Sequence, residues 1–299
     1  MSALAFVVGN ALSRAVPGRV RYGSARLLGG AGYLAGGRAR RNALANYGAI
    51  LGLPTTDPRV GRVARDAMVG YAKLLADFLL LPSLSAADVL DRVDVIGMEN
   101  IFDGLKAGRG VIAVTPHFGN WDMAGAAAVA MGVPVTAVTE RFGSESLNRR
   151  VVASRERAGV EVVPLGRGSG KAVLSALRRN RAVALVCDLP KEGRNLVVDL
   201  LGQRAEVPAG PAVLSLRTGA PIVPITCRRL PDNRYLLEVQ APVEFHPTGA
   251  PDDAARLAQV YIDRLAPLLR AHPEQWYLFS PMWSSAVDPT PERAALVAR

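Results

Sequence analysis

The chain has 299 residues, with 36 Lys and Arg against 26 Asp and Glu, three His and two Cys. An apolar fraction of 49% beside 21% charged residues excludes a mainly disordered chain, and the length is enough to bury a full core. Cys187 and Cys227 are too few for a disulfide framework or a cysteine-rich zinc site, which points to a reducing compartment. No apolar run reaches the roughly 20 residues of a membrane-spanning helix. The longest uncharged stretch, Met123–Thr139, is interrupted by Gly132 and Pro134. The N-terminus has no basic leader ahead of its apolar start, so no secretory signal is expected. These features describe a soluble or peripheral protein.

The net charge of +10 is unevenly placed. Residues 1–56 contain Arg14, Arg19, Arg21, Arg26, Arg38, Arg40 and Arg41, and no acid precedes Asp57. Between the arginines stand Leu4, Phe6, Val7 and Val8, then Leu27, Leu28, Tyr33 and Leu34. A basic, amphipathic stretch suits an anionic membrane surface, where each nearby cation contributes about 1 kcal/mol. An ordinary helical layer with a solvated Arg face has the same composition. Nucleic acid is not expected as a partner, because no recognised module accompanies the basic residues and few aromatics interleave them. Residues 1–56 are therefore read as a basic amphipathic segment, and 57–299 as the main domain.

From Asp57 the signals sharpen. Asp57 suits an N-cap, with Pro58 at the first helical position. Val60, Val63, Ala64, Ala67, Tyr71, Leu74, Leu75 and Phe78 follow at helical spacing, and Pro82 closes the segment. After a short helix near Ser85–Leu90, apolar runs alternate with helical stretches. The runs are Val111–Thr115, Val135–Thr139, Val160–Leu165, Ala182–Cys187 and Ile222–Thr226. Helices are expected near Gly119–Met131, Ser144–Ala158, Gly170–Asn180 and Ala209–Thr218. A strand at Tyr235–Gln240 and a helix at Asp252–Ala271 complete the series. Continuous apolar runs separated by helices predict an α/β fold: a central, mostly parallel sheet flanked by helices.

Ligands of such a sheet bind beyond the carboxyl ends of its strands. His117 follows the first run, Glu140 the second and Asp188 the fourth, which places one imidazole and two carboxylates at the same edge. The sharpest local pattern is His117-Phe118-Gly119-Asn120-Trp121-Asp122, a histidine with an aspartate five residues on. Within one continuous helix that offset turns the two side chains about 140° apart. They meet only if His117 lies in the loop and Asp122 in the first helical turn. Asp122 would then accept a hydrogen bond from one ring nitrogen and leave the other as a base. The bland alternative is a structural histidine satisfied by a neighbouring carboxylate.

This stretch resembles the His-x4-Asp signature of the glycerolipid and lysophospholipid acyltransferases, in the branch that contains the bacterial lipid A lauroyl/myristoyl enzymes. The likeness extends through Arg155–Gly159, Val183–Asp188, Leu200-Leu201-Gly202, Pro208–Pro211 and Thr218–Pro224 to His272–Tyr277, covering most of residues 90–285. Within that branch the chain is most similar to the phosphatidylinositol mannoside acyltransferases. The resemblance implies a glycerolipid acyltransferase-like fold with N-terminal helices. It also implies acyl-CoA as co-substrate, no metal or resident cofactor, and a glycophospholipid acceptor. His117 would act as general base and Asp122 would hold its tautomer while a mannose hydroxyl attacks the thioester. The expected setting is peripheral, on the cytoplasmic face of a bacterial inner membrane.

Further roles are shared among several residues. Asp188 orients either His117 or the acceptor, and Glu192, in the turn Lys191–Arg194, is the other candidate acid. Glu140 would bind sugar hydroxyls or cap the helix near Ser144, and Arg155 would bind a carboxylate or phosphate at the sheet edge or simply face solvent. A dry groove for the acyl chain would be lined by Phe118, Trp121, Met123 and the small Ala124–Ala128 face. The resemblance returns Trp276 and Tyr277 to the site, although the residues alone read as core aromatics.

Gly166-Arg167-Gly168-Ser169-Gly170-Lys171 is not a Walker A loop, since Leu165 and Ala172 stand where Gly and Ser or Thr are required. No Gly-x-Ser-x-Gly elbow is present. The rival classes are an acyltransferase for another glycolipid or lysophospholipid, a thioesterase-like hydrolase, and a non-catalytic membrane-surface protein.

Overall fold

The structure, a computed structural model, describes residues 3–141, 143–190 and 193–283. Four helices lead the chain: α1 (Ala3–Ala15), α2 (Gly18–Ala35), α3 (Gly37–Leu51) and α4 (Pro58–Leu80). Asp57 caps α4 by accepting the backbone N–H of Arg59 at 2.8 Å, with Pro58 entering the first turn. Val60, Ala64, Ala67, Leu74 and Phe78 form the buried face of α4, against which the three preceding helices pack. Residue 56 falls in the α3–α4 connection. The helices before it are tied to the far end of the chain. Asn46 Nδ2 donates to the carbonyls of Leu278 and Ser280 at 3.0 and 2.8 Å, and Tyr47 Oη to that of Trp276 at 2.7 Å. Among the described residues, no helix is long and apolar enough to cross a membrane.

The remainder runs α5 (Ala86–Arg92), β1 (Val93–Ile96), α6 (Glu99–Lys106), β2 (Val111–Thr115), α7 (Trp121–Ala130), β3 (Val135–Thr139), α8 (Glu145–Arg157) and β4 (Glu161–Pro164). It continues α9 (Ser169–Arg178), β5 (Ala182–Val186), β6 (Asn195–Leu200), β7 (Gln203–Pro208), α10 (Gly210–Thr218), β8 (Ile222–Arg229), β9 (Tyr235–Val239) and α11 (Asp253–Ala271). Seven strands form one sheet in the order β1-β9-β8-β2-β5-β3-β4. Every neighbouring pair is parallel except β8–β9. This is the α/β architecture expected, with helices on both faces and N-terminal helices added.

Strand alternation divides the core. Ile112, Val114, Val183 and Leu185 point to the side of α9 and α11, where Leu257, Tyr261 and Leu265 meet them. Val111, Val135, Ala182 and Leu237 point to the other side, towards Met123, Ala126 and Ala127 of α7 and Val151 of α8. Met123 is thus a core residue at 2% exposure, not the groove-lining residue expected.

The apolar runs became strands within one or two residues, except that β8 extends to Arg229 to pair with β9. Elements that the sequence pattern missed are short or two-sided. β1 has four residues and α6 eight, and β6–β7 is a separate hairpin. Its inward residues Leu196, Val198 and Leu200 alternate with outward Val197 and Asp199. The hairpin turns on Leu201-Gly202, both at positive φ (58° and 79°). Leucine there is no turn signal, because such turns normally carry Asn or Gly.

Candidate active site

β2 ends in a kinked exit. Pro116 leads to His117, and the chain then passes so close to β8 that a Cβ on Gly119 would sit 1.9 Å from the carbonyl oxygen of Cys227. Gly119 has φ +60°, so glycine is required on both counts. The N–H of Gly119 donates to Gln275 at 2.8 Å, the N–H of Asn120 to Cys227 at 2.8 Å, and the N–H of Tyr277 to the carbonyl of His117 at 2.8 Å. Asn120 then caps α7, accepting the N–H of Met123 at 3.0 Å. The histidine loop is therefore clamped between β8 and the segment 275–277.

His117 Nδ1 lies 2.8 Å from Asp188 Oδ1, and its backbone N–H donates to Asp188 Oδ2 at 2.9 Å. Trp276 Nε1–H donates to the same Oδ2 at 2.7 Å. Burial by itself would raise the Asp188 carboxyl. The charge of His117, the two bonds from His117 and the one from Trp276 outweigh it and hold the carboxyl below its ordinary value. An ionised carboxylate only accepts, so Nδ1 carries a proton, and in the neutral form of the ring Nε2 holds the lone pair. The Asp188 side chain is 1% exposed, whereas that of His117 is 24% exposed and lines a cavity of about 580 Å³.

The partner expected for His117 was Asp122; the structure corrects this. Asp122 stands in the first turn of α7 and accepts from Arg155 Nε at 2.6 Å and Nη2 at 3.4 Å, in a buried ion pair. Of the two roles open to Asp188, the structure realises the orientation of His117. Arg155 does bind a carboxylate at the sheet edge, and that carboxylate belongs to the protein. Both members of the pair line the cavity with His117.

Trp121 and Tyr277 line the cavity as expected, and the ring of Trp121 meets that of His117 edge-on at 5.5 Å. Glu140 is an exposed lining residue, and the cap of α8 is Ser144 instead. Phe118 and Trp276 are corrected. Both are fully buried, pair with each other across a β-bridge and do not line the cavity. Trp276 reaches the site only through its bond to Asp188. Glu192 lies outside the described residues.

The cavity continues under α7. Ala124, Gly125 and Ala128 face it from the helix, and Ala113, Ala184 and Ala137 face it from β2, β5 and β3. Ala184 is in register with both Ala113 and Ala137, so three small side chains form one row across adjacent strands. Two surfaces of small residues flank an apolar slot that is also lined by the buried Met98, Ile101 and Val133. The helix half of this slot was legible from Ala124–Ala128. The strand half was not, because it exists only through register.

The profile of the family described as bacterial lipid A biosynthesis acyltransferase matches residues 3–285. The chain is 31% identical over 296 residues to a phosphatidylinositol mannoside acyltransferase of Mycolicibacterium smegmatis, covering 98% of this chain and 94% of that protein. It is 31% identical over 263 residues to a phosphatidylinositol mannoside acyltransferase of Mycobacterium tuberculosis (strain CDC 1551 / Oshkosh), covering 85% and 80%. With both the N-terminal helices and the histidine loop inside the match, the chain belongs to the bacterial lipid A biosynthesis acyltransferase family.

Proposed function

We propose that this protein moves a fatty acyl chain from acyl-CoA to a mannose hydroxyl of a phosphatidylinositol mannoside, working peripherally on the cytoplasmic face of a bacterial inner membrane. The observation that carries this reading is a histidine with one nitrogen fixed by a buried carboxylate, standing beside an apolar slot. A sugar hydroxyl is a weak nucleophile near neutral pH. His117 Nε2 removes its proton as the oxygen attacks the thioester carbonyl, and Asp188 stabilises the imidazolium that forms. The tetrahedral adduct collapses with cleavage of the C–S bond, and the imidazolium returns its proton to the departing thiolate. The acyl chain occupies the slot under α7. The names of the mycobacterial relatives support the mannoside acceptor.

Transfer is direct. Cys187 and Cys227 are fully buried, and burial pushes the Cys227 thiol up to about 12, so neither supplies a thiolate nucleophile. The membrane role rests on the N-terminal helices, which expose Leu27, Leu28 and Leu34 at 76%, 71% and 78% among arginines and without acids.

The decisive experiment incubates purified protein with acyl-CoA and a panel of lipid acceptors and reads the products by mass spectrometry. Acylated mannoside is the expected product, lost in His117→Ala. Free fatty acid formed equally with and without acceptor would favour a hydrolase instead. Sedimentation with anionic vesicles should weaken at high salt. Vesicle binding with no acyl transfer, unchanged in His117→Ala, would favour a non-catalytic surface protein.

A further inference from the structure

The N-terminal helices are joined to the histidine loop by a chain of buried side chains. On α2, Val20, Leu27 and Leu34 recur every seven residues and form one outward stripe, exposed at 48%, 76% and 78%. Tyr22 and Gly29, also seven apart, lie on the opposite side. Gly29 brings α2 directly onto α4, since a Cβ there would lie 2.6 Å from Val69 Cα. On this inner side Tyr22 Oη donates to Asp77 Oδ1 at 2.7 Å.

Asp77, 5% exposed, is a hub. Its Oδ2 accepts from Tyr235 Oη and from Arg229 Nη2, each at 2.5 Å. The Arg229 guanidinium sits against the rings of both tyrosines, 5.3 Å from Tyr22 and 4.6 Å from Tyr235. Tyr235 Oη in turn accepts from Asn120 Nδ2 at 2.8 Å. Asn120 stands three residues beyond His117 and caps α7. Arg229 reaches the same loop by its backbone: it exchanges two hydrogen bonds with the Gln275 side chain, and the Gln275 carbonyl receives the N–H of Gly119. Within this buried network Arg229 Nε and Nη1 already lack a hydrogen-bond partner, so removing a further member leaves more buried polar groups unpaired.

We propose that Tyr22 and Asp77 are positioning residues for acyl transfer: α2, seated on an anionic bilayer by its outer leucines, holds the His117 loop in its working geometry through Tyr22, Asp77, Tyr235 and Asn120, so that turnover rises at the membrane surface. This inference rests on the acyltransferase reading above. It differs from membrane binding as such, because the bilayer acts here on the rate of the chemical step and not only on encounter with the acceptor.

The test compares kcat on a long-chain phosphatidylinositol mannoside in phosphatidylglycerol-containing vesicles with kcat on a short-chain mannoside dispersed as monomers. Wild-type protein should turn over about fivefold or more faster on vesicles, the lower end of ordinary coupling between sites. Tyr22→Phe deletes one hydroxyl from a half-buried ring, and Tyr235→Phe breaks the chain at a second point without touching α2. Each should bring the vesicle-to-monomer ratio close to one. The double variant should add nothing further, as members of one relay are not additive. KM for the acyl donor and sedimentation with vesicles should stay at wild-type values. A wild-type ratio in Tyr22→Phe, an equal fall of kcat in both formats, or a ratio of one in the wild type would each overturn the proposal. Absence of acylated product from wild type in both formats would take down the underlying acyltransferase reading along with it.

Discussion

Asp188 holds His117 at two points, the ring Nδ1 at 2.8 Å and the backbone N–H at 2.9 Å. One carboxylate thereby sets the tautomer of the imidazole and the course of the loop that carries it. Trp276 fixes that carboxylate from behind. In the proposed reaction the imidazole would be pre-oriented by groups that need not move, the condition under which electrostatic stabilisation of an imidazolium is most effective.

The first prediction separates the two aspartates. His117→Ala should reduce kcat by about three orders of magnitude or more, and Asp188→Asn by about two to four, because an amide at 188 can hold the ring in the wrong tautomer. Asp122→Asn should cost less than Asp188→Asn. Steady-state kinetics on the three variants decide this, and equal losses at 122 and 188 would count against the assignment.

The second concerns stability. Asp122 and Arg155 side chains are 7% and 10% exposed, so Asp122→Ala removes the carboxylate that Arg155 Nε and Nη2 bond in a place with little water. Unfolding free energy should fall by about 3–5 kcal/mol, as for other buried pairs broken from one side. Asp122→Leu with Arg155→Met should recover part of it. Urea unfolding of the single and double variants measures both effects.

The third is a pH dependence. The folded-state value of Asp188 lies below its ordinary one. A group of this kind contributes stability that is fully present above the unfolded carboxylate value of about 4 and is lost as pH falls through the lower folded value. Wild-type protein should therefore lose stability below about pH 4 more steeply than Asp188→Asn, which lacks the titrating group. Urea midpoints across that range check the sign; parallel curves would contradict it.

The fourth tests the slot. Ala184 sits at the centre of the alanine row. In Ala184→Leu the added carbons would occupy the space proposed for the acyl chain, and kcat/KM for long-chain relative to short-chain acyl-CoA should fall by about tenfold or more. Unchanged chain-length preference in a folded variant would place the acyl chain elsewhere.

Reading along the chain recovered what local periodicity encodes. The runs Val111–Thr115 and Val135–Thr139 became β2 and β3 at the expected residues, and Asp57-Pro58 opened α4. The turn at Leu201-Gly202 is not legible in the sequence because its leucine adopts a positive φ without the residue type that announces one. At the site, His117 was legible from its place after a buried strand. Sequence proximity points to Asp122 as its partner, although Asp188 stands at the same edge.

That distinction has a physical basis. Helices, strands and their ends follow from residue size, polarity and backbone preference within a few neighbours, so the amino-acid order is sufficient to place His117, Glu140 and Asp188 at one rim of a parallel sheet. Which carboxylate meets the imidazole depends on the adjacency of β2 and β5, which joins residues 71 positions apart. The pairing of Asp122 with Arg155, the alanine row and the Tyr22–Asp77–Tyr235–Asn120 chain likewise arise from register and packing between distant segments. Only the folded arrangement could decide them.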